Sequence, residues 1–197
     1  VAESPARATD SRTLRTVQAI EDAVRDALRE VPLDHLTVAE VCRRAGVGRP
    51  SFYTHFDSIP RLVAQLLTAD VDNALPIPDV ERVPTELLEP AITENLADSL
   101  ATVARHRELY RSVFTSASSG VLRSELDRAI GNRVRNIVAI WQDRGIVGEI
   151  DLVVAVPFAT GGITRALEAW AFDDSTDSAG RARAIRDQMP RWWPFPD

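Results

Sequence analysis

Apolar residues recur along this chain at three- and four-residue steps, the spacing that puts them on one face of an α-helix. The first stripe, Leu14, Val17, Ile20, Val24, Ala27, Leu28 and Val31, predicts an amphipathic helix over Thr13 to Glu30, stopped by Pro32. Thr37 followed by Glu40 has the spacing of a capping box. A second helix therefore starts there, with Val38, Val41, Cys42 and Ala45 on its apolar face and Gly46 at its end. A short third helix is predicted from Arg49 to Phe56. Asp57-Ser58 caps a fourth, where Pro60 falls harmlessly in the first turn and Leu62, Val63, Leu66 and Leu67 form the buried stripe.

Pro76, Pro78 and Pro84 then break the pattern, so residues 75–84 read as a loop. Helical stripes resume at Leu88-Ile92-Leu96-Leu100-Val103, Leu109-Tyr110-Val113-Phe114, and Leu122-Leu126-Ile130-Val134-Ile137-Val138-Trp141, the last ended by Gly145. The stretch from Leu152 to Phe172 is apolar nearly all round, which predicts a helix packed on more than one side and kinked at Pro157. A last helix is expected from Ala182 to Met189, before the aromatic tail Trp192 to Pro196. No alternation of strand type and no repeat is legible. The expected fold is all-α, divided into a flexible arm over 1–12, a three-helix domain over 13–67 and a helical bundle over 68–197.

Composition trims the alternatives. A hydrophobic share of 45% suits a globular core, and the one cysteine, Cys42, excludes an internal disulfide and any cysteine-only metal site. The longest apolar run, Leu152 to Ala159, is short of the ~18–20 residues a membrane span requires. Val1 to Leu14 lacks the apolar stretch of a signal peptide. A soluble, cytoplasmic chain without a membrane partner is expected. The net charge of −6 looks unfavourable for nucleic acid, yet it is unevenly placed: residues 1–67 hold nine arginines and nine acids, and the window 37–61 holds four arginines against two acids. Phosphate contact depends on the local patch. Enzymatic readings fail on inventory, because the histidines are His35, His55 and His106. Neither a glycine-rich phosphate cradle nor metal-ligand spacing appears. Gly161-Gly162 reads as a close helix crossing. No cofactor is expected.

The informative window is LTVAEVCRRAGVGRPSFYTHF, from Leu36 to Phe56. Two short helices joined by Ala45-Gly46-Val47-Gly48 make a helix-turn-helix, in which Gly46 tolerates the positive φ of the turn. Phe52 and Phe56, four apart, are expected to point inward together. That leaves Arg49, Pro50, Ser51, Tyr53, Thr54 and His55 on the outer arc, where such side chains suit base edges and phosphate oxygens. Thr37 opens the preceding helix, whose free N–H groups suit a backbone phosphate.

On Thr37-Val38, Val41, Ala45-Gly46-Val47, Ser51-Phe52-Tyr53, His55 and Phe56, the window resembles the DNA-binding domain of the TetR family of bacterial repressors, over roughly Leu14 to Leu67. The resemblance implies DNA contacts at Arg49, Pro50, Ser51, Tyr53, Thr54 and His55, with Thr37 on phosphate. It further implies a homodimer on a palindromic operator, a C-terminal ligand-binding and dimerising domain, and repression relieved by a small molecule. Tyr110, Phe114, Trp141, Phe158 and Trp170 are the candidate pocket walls. The helices over Leu152 to Phe172 and Ala182 to Met189 are the candidate dimer interface. The chain departs from the family where Lys is usual: that position is Ile59, and whether Arg61 replaces it stays open. Pro50 stands where many members have Gly. A LacI-like regulator shares the Ala-Gly-Val turn but opens with it and continues much further. An adaptor with a vestigial DNA module is the alternative from another class, and Ile59 is the feature in its favour.

Overall fold

The computed structural model describes residues 5–72, 82–190 and 192–193, and the ordered elements among them are helical. Most of the proline-rich segment, residues 1–4 of the arm and the tail beyond Trp193 lie outside the described residues. The chain divides into two compact units. One comprises the described residues up to Leu66 together with Ser112–Leu122; the other comprises Leu67–Arg111 and the described residues from Arg123 onward. The segment 112–122 thus belongs with the first unit although it lies far along the chain from Leu66. Its contact is specific, since Ala117 N donates to Asp34 Oδ2 at 3.1 Å.

In the first unit, α1 (Pro5–Ala27) packs Ile20, Ala23, Val24 and Ala27 inward. It begins eight residues before the predicted start, so residues 5–12 are helical rather than an arm. Pro5 at the first helical position suits that start, and no apolar stripe exists there for periodicity to detect. Leu14, read as part of the stripe, is 68% exposed. A 3₁₀ turn at Leu33–His35 leads to α2 (Val38–Ala45), α3 (Arg49–His55) and α4 (Ile59–Asp72). Ser58 Oγ accepts from Arg61 N at 3.3 Å, which is the cap expected of Asp57-Ser58.

The second unit is built on α5 (Leu88–Arg105), the first part of α6 (Arg107–Thr115), most of α7 (Ser119–Asp143), α8 (Leu152–Ala171) and α9 (Ser178–Arg186). The helix α9 lies on α5, and α5 on α8. Trp170 Nε1 donates to Leu100 O at 2.8 Å, tying α8 to α5, while the guanidinium groups of Arg107 and Arg181 lie 5.4 and 5.2 Å from the centre of the Trp170 ring. Asp177 accepts from Gly180 N at 2.8 Å and starts α9 four residues before the predicted Ala182.

Three expectations for α8 are corrected. It runs from Leu152 to Ala171 through Pro157 as one helix of 20 residues, long and apolar enough by length and composition to cross a membrane. The apolar run therefore does not stop at Ala159. Its buried residues, among them Ala159, Leu167 and Trp170, are part of this unit's core. The helix is also not packed all round, since Val153, Val154 and Phe158 are exposed. Finally, Gly161 and Gly162 do not mark a crossing within the chain, because a Cβ built on either meets nothing within 4 Å. The close approach is at Gly131 on α7, where a Cβ would lie 3.4 Å from Thr160 Oγ1.

Candidate nucleic-acid interface

The geometry of the helix-turn-helix starts from its two terminators. Thr37 is extended (φ −109°, ψ 150°), and its Oγ1 accepts from Glu40 N at 3.2 Å, satisfying one of the orphan donors of α2. Glu40 does not complete a reciprocal box. Its carboxylate accepts from Arg43 Nη2 at 2.6 Å and Arg44 Nε at 2.7 Å, and those guanidinium groups hold it down to about 2. Arg44 also donates to Glu30 Oε2 at 2.7 Å. Three of the window's four arginines, Arg43, Arg44 and Arg61, are thus paired with acids, and Glu30 comes from the turn after α1. At the other end of α2, Gly46 adopts φ 66°, ψ 30°, while Val47 N donates to Cys42 O at 3.0 Å and Gly46 N to Arg43 O at 3.4 Å. These two bonds form a Schellman motif. Cys42 is buried, and burial pushes its thiol pKa up, so it packs as a small apolar residue.

From this turn α3 leaves with its two faces sharply different. Phe52 is fully buried, its ring 5.5 Å from Tyr53 and 5.6 Å from Phe56. Phe56 does not share that burial; it leaves the helix in an extended conformation (φ −137°, ψ 134°) and is half-buried. Arg49, Pro50, Tyr53 and Thr54 are exposed, with Tyr53 at 55%, while Ser51 and His55 are half-buried. Thr54 Oγ1 donates back to Pro50 O at 3.0 Å, leaving its lone pairs outward. Thr37 is also exposed. The seven predicted contact residues thus share the first unit, six of them on one short helix.

Ile59, where a phosphate-contacting Lys was expected from the resemblance, is 4% exposed and belongs to the core. Arg61 pairs with Asp57 at 3.0 Å.

The five residues named as pocket walls are divided between the two units. Phe114 is buried in the first unit. In the second, Tyr110 is core and donates to Leu67 O at 2.9 Å, Trp141 packs edge-on against Trp193 at 4.7 Å, and Trp170 is buried. Phe158 is 65% exposed. A cavity of about 80 Å³ does exist in the second unit, but none of the five lines it; its walls include Ile92, Leu96, Val134, Leu167 and Trp193, with Asn95 and Arg133 as polar members. These residues come from different helices and carry no local motif. Ile92 and Leu96 on α5 are half-buried where their neighbours Leu88 and Leu100 are fully so, a difference the sequence stripe does not carry.

A buried phenylalanine bracing a short helix of exposed polar residues, entered through a glycine turn and backed by a long helix, is the arrangement of a helix-turn-helix domain. Residues 20–66 match the family model described as bacterial regulatory proteins, tetR family. The match covers 47 of the chain's 197 residues, so the likeness is to that family over its helix-turn-helix segment. An HTH-type transcriptional regulator of Mycobacterium tuberculosis (strain H37Rv), itself uncharacterized, is 33% identical over 87 residues, covering 42% of this chain. The match spans 46% of that relative's length, about half. Among solved structures, RolR in complex with resorcinol superposes with a TM-score of 0.58 at 20% identity, over 95% of this chain and 98% of that one. FadR from Bacillus subtilis in complex with stearoyl-CoA gives 0.60 at 16% identity, over 86% and 95%. The fold is the same in each.

Proposed function

We propose that this chain is a homodimeric, ligand-responsive transcriptional regulator that represses from a palindromic operator and is released by a small molecule. The observation that carries the DNA reading is the outer face of α3, with Arg49, Pro50, Tyr53 and Thr54 exposed over a fully buried Phe52. In the dimer two such helices sit about one DNA turn, roughly 34–36 Å, apart. Thr37 at the start of α2 holds a phosphate, and Ser51 and His55 flank the groove contact. Dimerisation is supported by the apolar outer strip of α8, where Val153 is 84% exposed and Gly161-Gly162 faces open space. A second helix can approach closely over such a strip. The ligand is supported by the cavity of the second unit and by the bound molecules of RolR and FadR. A ligand that prefers a differently spaced dimer shifts the population, and a coupling of about 1–3 kcal/mol changes DNA affinity roughly 5–150-fold.

The adaptor reading draws on the buried Ile59 and on the ion-paired Arg43 and Arg44. Selection of bound fragments from random DNA, followed by a salt titration, separates the two. A regulator gives a recurrent inverted repeat whose affinity falls steeply with salt; an adaptor recovers no motif and binds little at any salt. On the selected DNA, Tyr53→Ala should weaken binding by about tenfold or more at unchanged melting temperature. Unchanged affinity removes this face from the interface.

A further inference from the structure

The walls of the second unit's cavity bear on what it takes, an inference that rests on the effector reading above. Most of the lining is hydrocarbon: Ile92, Leu96, Ile130, Val134, Ile163 and Leu167. Asn95 and Arg133 face it together. Arg133 Nη1 donates to Asn95 Oδ1 at 3.4 Å, which fixes the amide's orientation, since the flipped amide would set two donors against each other. The other end of that amide, Nδ2, is then a buried donor without an acceptor among the described residues. Buried donors are paired in nearly all folded proteins, so such an orphan at a cavity wall marks the place of an acceptor from outside the chain. The nearby acid is already occupied. Glu89 accepts from Thr93 Oγ1 at 2.6 Å and pairs with Arg186 at 3.5 Å, so its charge does not oppose an incoming anion.

Size sets a second limit. At about 80 Å³ the cavity is smaller than the roughly 150 Å³ that takes benzene, so it admits a short hydrocarbon part and not a long one. We infer that the cavity takes a small monocarboxylate, its carboxylate on Asn95 Nδ2 and the Arg133 guanidinium and its short hydrocarbon part among the isoleucine and leucine side chains. A guanidinium beside an amide donor matches the two oxygens of a carboxylate, and a hydroxyl uses the pair less well.

The test uses the full chain and three probes: hexanoate, hexan-1-ol and dodecanoate. Trp193 lines the cavity and meets Trp141 edge-on, so tryptophan fluorescence reports occupancy, with calorimetry as the second readout. Hexanoate should bind at least about tenfold more tightly than hexan-1-ol, the loss expected for one charge-assisted bond, and dodecanoate should bind more weakly than hexanoate. In Asn95→Leu and Arg133→Met, each checked for an unchanged melting temperature, the preference for hexanoate over hexan-1-ol should collapse toward one. Equal binding of acid and alcohol, stronger binding of dodecanoate, no binding of any probe, or a preference that survives both substitutions overturns the inference. Repeating the DNA titration at saturating hexanoate separates the two readings. Hexanoate preference without any change in DNA affinity keeps the ligand class and sinks the regulatory role. A DNA response to dodecanoate alone does the reverse.

Discussion

Gly46 and Phe52 divide the work of the helix-turn-helix between backbone and side chain. A Cβ at Gly46 would meet open space, so its requirement is for φ 66° alone. Gly46→Ala should cost about 1–2 kcal/mol, the left-handed penalty for an L-residue, and Gly46→Asn less, because Asn tolerates that region; urea titrations of the three proteins check the order. If Ala proves neutral, the turn relaxes in a way this geometry does not allow. Phe52 is the opposite case. It has no exposed surface, so Phe52→Ala should cost about 3–5 kcal/mol and lose DNA binding through the fold, whereas Tyr53→Ala loses it at constant stability. Both roles were readable from spacing, since a turn glycine and a single inward ring follow from local rules. The half-exposure of Phe56 was not, because an i+4 step predicts shared burial only while the helix continues, and it ends at His55.

At the scale of the element, α2 shows how caps and charges are reassigned by packing. The sequence places Glu40 correctly for a capping box, and Thr37 does its half. Glu40 turns instead to Arg43 and Arg44, because two guanidinium groups outcompete one backbone N–H for a carboxylate. The folded-state value of about 2 lies below the ordinary 4.5. Glu40 thus contributes stability that is fully present above pH 4.5 and is lost as pH falls toward 2. Relative to the native chain, Glu40→Gln should melt earlier at pH 7, with the difference shrinking between pH 4.5 and 2. Thermal melts across that range test it; a constant difference excludes the carboxylate as the cause. Since Arg43 is exposed and Glu40 and Arg44 are half-buried, added salt should narrow the gap at pH 7 in part. The same pairs explain why counting arginines in the window 37–61 overstated its free positive charge: Glu30, which neutralises Arg44, lies outside that window. In α1, residues 5–12 extend the helix without an apolar stripe, so periodicity carries no sign of them.

On the scale of the whole molecule, α8 carries a question a single chain leaves open. Its inner residues close the second unit, while Val153, Val154 and Phe158 remain outside beside Gly161-Gly162. An exposed apolar strip of this kind marks an interaction surface. On the proposed dimer, Phe158→Glu should shift the chain toward monomer in sedimentation at micromolar concentration and weaken binding to the selected DNA, while leaving each unit folded by circular dichroism. A dimer that survives the substitution moves the interface elsewhere. Pocket residues were the poorest part of the sequence reading. Large aromatics were named because they offer area, but large aromatics also fill cores best, and Tyr110, Trp141 and Trp170 each do so with at most 1% exposed. A cavity arises where four helices fail to meet, which no single stripe encodes.

Local rules settled what is local. The order of helices, the turn at Gly46, the cap at Thr37, the inward Phe52 and the outward residues of α3 follow from propensity and from a period of 3.6, both of which act over a few neighbours. Packing decided the rest: the attachment of residues 112–122 to the first unit, the neutralisation of Arg44, the burial of Ile59, and the lining of the cavity by Asn95 and Arg133. Each depends on contacts between residues far apart in the chain, whose meeting is a property of the closed fold.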